Sequence, residues 1–106
     1  MPSLAGLVRG RIYYADLGHG EKPWLVVSNN GRNSRLGTAL VVRITTSEKP
    51  PLASIAVLGP GEPVVGRVLC DDVTELFQDE VKRDGGALSP EVMVKVAAGL
   101  RSAFAL

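Results

Sequence analysis

The chain has 106 residues, enough for one domain around one core and too few for two. Its 45% apolar and 22% charged composition excludes a disordered chain. No apolar run approaches a membrane span, and residues 1–8 lack the layout of a secretory leader. The net charge of +1 does not mark a nucleic-acid binder, but the charge is uneven: residues 1–50 carry seven Lys/Arg and three Asp/Glu, residues 51–106 five and eight.

Gly10–Asp16 (GRIYYAD) is rich in strand formers, and Leu17–Lys22 (LGHGEK), with two glycines, reads as the loop after it. Pro23–Ser28 (PWLVVS) is continuously apolar and predicts a buried strand, with Trp24 in the core. Asn29–Gly37 (NNGRNSRLG) is polar and reads as a loop, and Thr38–Thr45 (TALVVRIT) is the strongest strand signal. Two prolines within Ser47–Pro51 end that strand. Ala53–Leu58 and Val64–Cys70 predict two more, separated by the turn Gly59–Pro63, with Gly66 marking a bulge or a corner. Asp79–Arg83 reads as a short helix before Gly85-Gly86.

The period then changes. Ser89 caps a helix that has Pro90 at its first position, and Met93, Val96, Ala97, Leu100 and Phe104 recur on one face. Five short strands and a terminal helix predict a mainly β fold, a small barrel or strongly bent sheet closed by the helix. The lone His19 and the lone Cys70 are too far apart in sequence for a usual metal site, so no metal and no cofactor are expected. One cysteine cannot staple the chain to itself, which fits a cytoplasmic protein.

The run Arg9–Asn33 (RGRIYYADLGHGEKPWLVVSNNGRN) resembles the start of the MazF/PemK-like messenger-RNA interferases. That start has Arg-Gly, a β run ending in Asp-Leu, a loop, a basic residue with Pro, an apolar strand, then Ser-Asn. Val41–Ser47 (VVRITTS), Gly66–Leu76 (GRVLCDDVTEL) and the closing helix Ser89–Leu106 resemble the family's later blocks, in the same order. The resemblance implies one toxin domain over residues 1–106, with an SH3-like (CcdB/MazF/PemK-type) small barrel and a C-terminal α-helix. The function it implies is that of the toxin of a type II toxin–antitoxin pair, a metal-independent, sequence-specific endoribonuclease. The 2′-oxygen of single-stranded RNA would attack the adjacent phosphate, leaving 2′,3′-cyclic phosphate and 5′-hydroxyl ends. Partners so implied are RNA, a MazE-like antitoxin with an acidic disordered tail, and a second copy in a homodimer, with no membrane.

Carried over residue by residue, Lys22 stands where many members have a catalytic Arg, keeping the charge but not the planar fork. Thr45 falls on the family's active-site Thr and Thr46 on the next residue. Asp71 matches the Asp after Cys, while Asp72 replaces the common Gln. His19, in a loop shorter than in many members, is a further acid or base candidate. Arg9, Asn29, Asn30, Arg32 and Arg43 are candidate RNA contacts, with Asn33 and Arg35 beside them. Two other readings stand beside the nuclease: a gyrase-inhibiting toxin of the same fold, and a catalytically inactive RNA-binding barrel.

Overall fold

The computed structural model describes residues 6–106. Of the stretch read for a leader, residues 1–5 lie outside the described residues. In chain order the elements are β1 (Arg11–Asp16), β2 (Glu21–Val26), α1 (Asn30–Leu36), β3 (Thr38–Thr45), β4 (Ile55–Val57), β5 (Arg67–Phe77), β6 (Val81–Ala87) and α2 (Pro90–Phe104). The six strands form one antiparallel sheet in the order β4-β5-β3-β2-β1-β6. The mainly β architecture with a terminal helix is the one expected. The sheet bends but is not closed, because β4 and β6 form its two edges.

Strand alternation gives the sheet two apolar faces. Ile12, Leu25, Val42, Ile44, Val68 and Cys70 face α2, which seats Val92 and Val96 among them. Tyr13, Ala15, Trp24, Val26, Val41 and Leu76 form the second cluster on the opposite face. Trp24 is buried there as expected, its indole N–H donating to the Ala15 carbonyl at 3.3 Å. Burying both faces at about 25 cal/mol per Å² of apolar surface is the main force holding so short a chain folded.

Several boundaries differ from the sequence reading. Asn29–Gly37 is not a loop: it contains α1, with Asn29 as N-cap accepting from the Arg32 backbone N–H at 2.8 Å. Asn33, on α1, is buried and fully used. Its amide donates to the Leu7 and Ser28 carbonyls, and its oxygen accepts from the Ser28 hydroxyl. Of Asp79–Arg83 only Asp79 and Glu80 are helical, in a single 3-10 turn at Gln78–Glu80, and the rest belongs to β6. The strand expected over Val64–Cys70 starts only at Arg67 and runs on to Phe77. Ser89 does cap α2, accepting from the Val92 N–H at 3.3 Å. The expected face packs on the sheet, with Val96 buried and Met93 and Leu100 against the core, joined by Val92 and Gly99; Phe104 alone of the expected face is exposed.

Candidate active site

β2 and β3 pair so that Trp24 lies opposite Arg43. Continuing that register outward brings Lys22, near the start of β2, level with Thr45 at the end of β3. Lys22, Arg43 and Thr45 extend the second sheet face past its apolar cluster, where the side chains reach solvent. There they line an open cavity of about 330 Å³ with Pro23, Thr46 and Val65.

Two local features fix Thr45. Its hydroxyl oxygen accepts the Ser47 backbone N–H at 3.1 Å, so its own proton is left to donate outward. On the other side Thr45 pairs with Arg67 of β5. Gly66, at φ +128°, presses its backbone on the Thr45 carbonyl so closely that any Cβ would overlap the oxygen. The Gly66 anticipated as a corner is thus the residue that lets the β5 entry close on the site. Arg67, which the sequence reading passed over, braces the following turn: its guanidinium lies 3.5 Å from the Ser47 carbonyl and 3.3 Å from Glu48. Its place opposite Thr45 is set by long-range strand pairing, which leaves no local sequence signal.

Arg43 stands at the rim between this cavity and a second, of about 450 Å³, that holds Asp71 and Asp72. The Arg43 Nε is 3.4 Å from the Asp72 carboxylate, is sealed from solvent and makes no hydrogen bond among the described residues. Asp71 and Asp72 sit where β5 loses its pairing with β3. Val42 pairs with Val73 but Arg43 pairs with Leu69, so Cys70, Asp71 and Asp72 have no opposite number. Cys70 turns inward beneath α2, where burial, and then the charge of Asp71, push its thiol up to about 11. The two carboxylates turn outward.

The remaining candidates lie elsewhere. His19 is exposed in the β1–β2 turn and lines neither cavity. The Asp16 carboxylate accepts the Gly18 and Gly20 N–H groups at 2.9 and 3.1 Å and shapes that turn. Asn29, Asn30 and Arg32 belong to α1 and its cap, at the end of β2 and β3 opposite Lys22 and Thr45. Each has a scaffolding partner there. Asn30 accepts the Arg9 N–H at 2.7 Å, the Arg9 side chain donates to the Val27 carbonyl, and Arg32 donates to the Thr38 carbonyl at 3.0 Å. Among the described residues no group of three His, Cys, Asp or Glu side chains is arranged to hold a metal ion, and no helix is long and apolar enough to cross a membrane.

Residues 8–104 match the family described as the PemK-like, MazF-like toxin of type II toxin–antitoxin systems. The chain is 37% identical over 99 residues to Endoribonuclease MazF1 of Mycobacterium bovis and to Endoribonuclease MazF4 of Mycobacterium tuberculosis, covering 93% of each and of itself. A mycobacterial endoribonuclease solved in complex with its cognate antitoxin superposes with a TM-score of 0.91 at 37% identity, over 95% of this chain and 97% of that one. The MazF of a MazE-MazF complex from Deinococcus radiodurans shares the fold, with a TM-score of 0.81 at 20% identity over 95% and 97%. With a family match over nearly its whole length and relatives 37% identical over 93% of the chain, the chain belongs to the MazF/PemK toxins of type II toxin–antitoxin systems.

Proposed function

We propose that the chain is a metal-independent endoribonuclease acting on single-stranded RNA in the cytoplasm, with residues 1–106 forming its one domain and the Lys22–Thr45 cavity its active site. The observation that carries this reading is the convergence of two cations, Lys22 and Arg43, with two hydroxyls, Thr45 and Thr46, in one open cavity of an endoribonuclease-like chain. A phosphate flanked by ribose fits that set. The 2′-oxygen bonds to phosphorus as it loses its proton, the bond from phosphorus to the 5′-oxygen breaks, and the departing oxygen takes up a proton. Charge grows on the non-bridging oxygens as this happens. Lys22 and Arg43 offset that charge, and the free Thr45 proton donates to it. DNA lacks the nucleophile and stays intact.

His19 and Asp71 lie outside the cavity and are second to Lys22 and Thr45 in this scheme. The solved complex of a mycobacterial relative with its cognate antitoxin supports an antitoxin as one protein partner, which in this reading covers the site; a second copy of the chain is the other partner of the reading.

The test is incubation of the purified protein with a mixed single-stranded RNA pool in excess EDTA. Cleavage is expected, with 2′,3′-cyclic phosphate and 5′-hydroxyl ends. Activity lost in EDTA and restored by magnesium would overturn the mechanism. RNA binding without cutting would point to the inactive barrel, and gyrase inhibition with neither would point to the protein-directed toxin.

A further inference from the structure

The second cavity has an unusual wall for a nucleic-acid protein. One side is apolar, formed by Leu52, Ile55 and Leu69. The other holds two carboxylates, Asp71 and Asp72, carried outward by the unpaired stretch of β5. The cations Arg43 and Lys49 also line it, so the two carboxylates cancel their charge and the cavity lacks the net positive charge that draws a phosphate. The cavity nonetheless opens directly beside the Lys22–Thr45 site, because Arg43 lines both. At about 450 Å³ it has room for a purine ring.

We infer that this cavity receives the nucleobase of a nucleotide next to the scissile phosphate, and that Asp72, with Asp71, selects guanine there. This rests on the nuclease reading given above. The chemistry of the base edges sets the choice. An ionised carboxylate accepts hydrogen bonds and donates none. Guanine presents two neighbouring donors, N1–H and the N2 amino group, on its Watson–Crick edge, and a carboxylate takes both at once. Adenine and cytosine each place a ring acceptor beside their amino group, and uracil flanks its single N–H with two carbonyls. A carboxylate facing those edges meets a lone pair. Leu52, Ile55 and Leu69 supply the apolar surface for the ring faces. Arg43, with its Nε 3.4 Å from the Asp72 carboxylate, joins the rim of this cavity to the Lys22–Thr45 site.

The test uses short single-stranded RNAs with one cleavable linkage flanked by guanine, inosine or adenine, the other linkages being blocked by 2′-O-methyl groups. A fully 2′-O-methylated set serves for binding. The wild-type protein is expected to prefer guanine over adenine by about tenfold or more in kcat/KM, and inosine, which lacks the N2 amino group, should fall between them. Asp72→Asn adds a donor and removes the charge, and should collapse the guanine-to-adenine ratio. The Asp71→Asn variant should lower it less. Asp72 is exposed, so both proteins are expected to melt like wild type. Cleavage with no guanine preference, or a ratio unmoved in Asp72→Asn, would overturn the inference and leave the nuclease reading standing. A guanine preference in binding that depends on Asp72, without any cleavage, would do the reverse.

Discussion

Lys22 carries the charge of an arginine without its geometry, and that difference is measurable. If its ammonium offsets charge on the phosphate in the transition state, Lys22→Ala should lower turnover by about a hundredfold or more, the scale of losing one oxyanion-type donor. Binding of uncut RNA should weaken far less, since one phosphate contact is a small share of affinity. Lys22→Arg should retain activity or raise it, because the guanidinium donates two parallel bonds to a phosphate. A folded Lys22→Ala protein that cuts at the wild-type rate would move the chemistry off this residue. Lys22 and Thr45 came forward in the sequence through the family resemblance, one at the start and one at the end of an apolar strand. What the sequence did not show is that those two strand ends lie side by side, while Arg9, Asn29, Asn30 and Arg32 gather at the far end. Polar residues in a glycine-bearing run look alike whether they meet a ligand or cap a helix. Here Asn29 and Gly37, the N-cap and C-cap of α1, were the only signs that it was a helix.

At the scale of elements, α2 packs tightly on β5 at Gly99. A Cβ there would stand 2.7 Å from the Cys70 sulfur and 3.3 Å from its Cβ. Alanine normally improves a helix interior over glycine by about 1 kcal/mol. Overpacking a filled core costs about 1–3 kcal/mol, so Gly99→Ala should lower the melting temperature rather than raise it. Adding Cys70→Ala removes the sulfur, and the double variant should lose less stability than the two single losses combined. A Gly99→Ala protein at least as stable as wild type would show that the helix simply shifts away.

A charge pair adds to the backbone ladder that joins the edge strand β6 to β1. The Asp84 carboxylate receives Arg11 at 3.0 Å, and that hydrogen bond, with the Gly86 N–H, lowers its pKa below the usual carboxylate value. Asp16 is lowered likewise by the Gly18 and Gly20 N–H groups. A lowered folded-state pKa means stability that is fully present above the unfolded value of about 3.9 and lost as pH falls through the folded value. Melting temperature should therefore hold from neutrality to about pH 5 and drop below about pH 4. The Asp84→Asn and Asp16→Asn variants should drop less steeply, and a drop as steep as wild type in both would count against these two groups. β6 itself escaped the sequence reading because Lys82, Arg83 and Asp84 face solvent in succession, which hides the two-residue alternation. Their order comes from partners far along the chain: Arg83 meets Glu21 at 3.0 Å and stacks over Tyr14.

For the whole molecule, the mainly β class, most strands and the terminal helix were legible, since apolar strands and a capped helix are local signals, whereas α1, β6 and the open sheet depend on long-range partners. That openness bears on self-association. An unclosed sheet has two edges able to recruit another strand, and both are blunted. β6 presents three consecutive charges, and β4 is three residues long, entered after Pro50 and Pro51. Strand addition is therefore a poor route to a dimer. Apolar surface outside the two cavities is still left over: Leu36, Val57, Val94 and Phe104 are each more than half exposed. A homodimer joined through sheet or helix faces would cover such residues. Light scattering at micromolar concentration should give twice the 11.2 kDa chain mass. Because burial of apolar surface drives the contact, the dimer should persist in about half-molar salt, which screens surface ion pairs. A monomer mass at low salt would sink the dimer, and a dimer that dissociates on adding salt would shift its basis from apolar burial to charge.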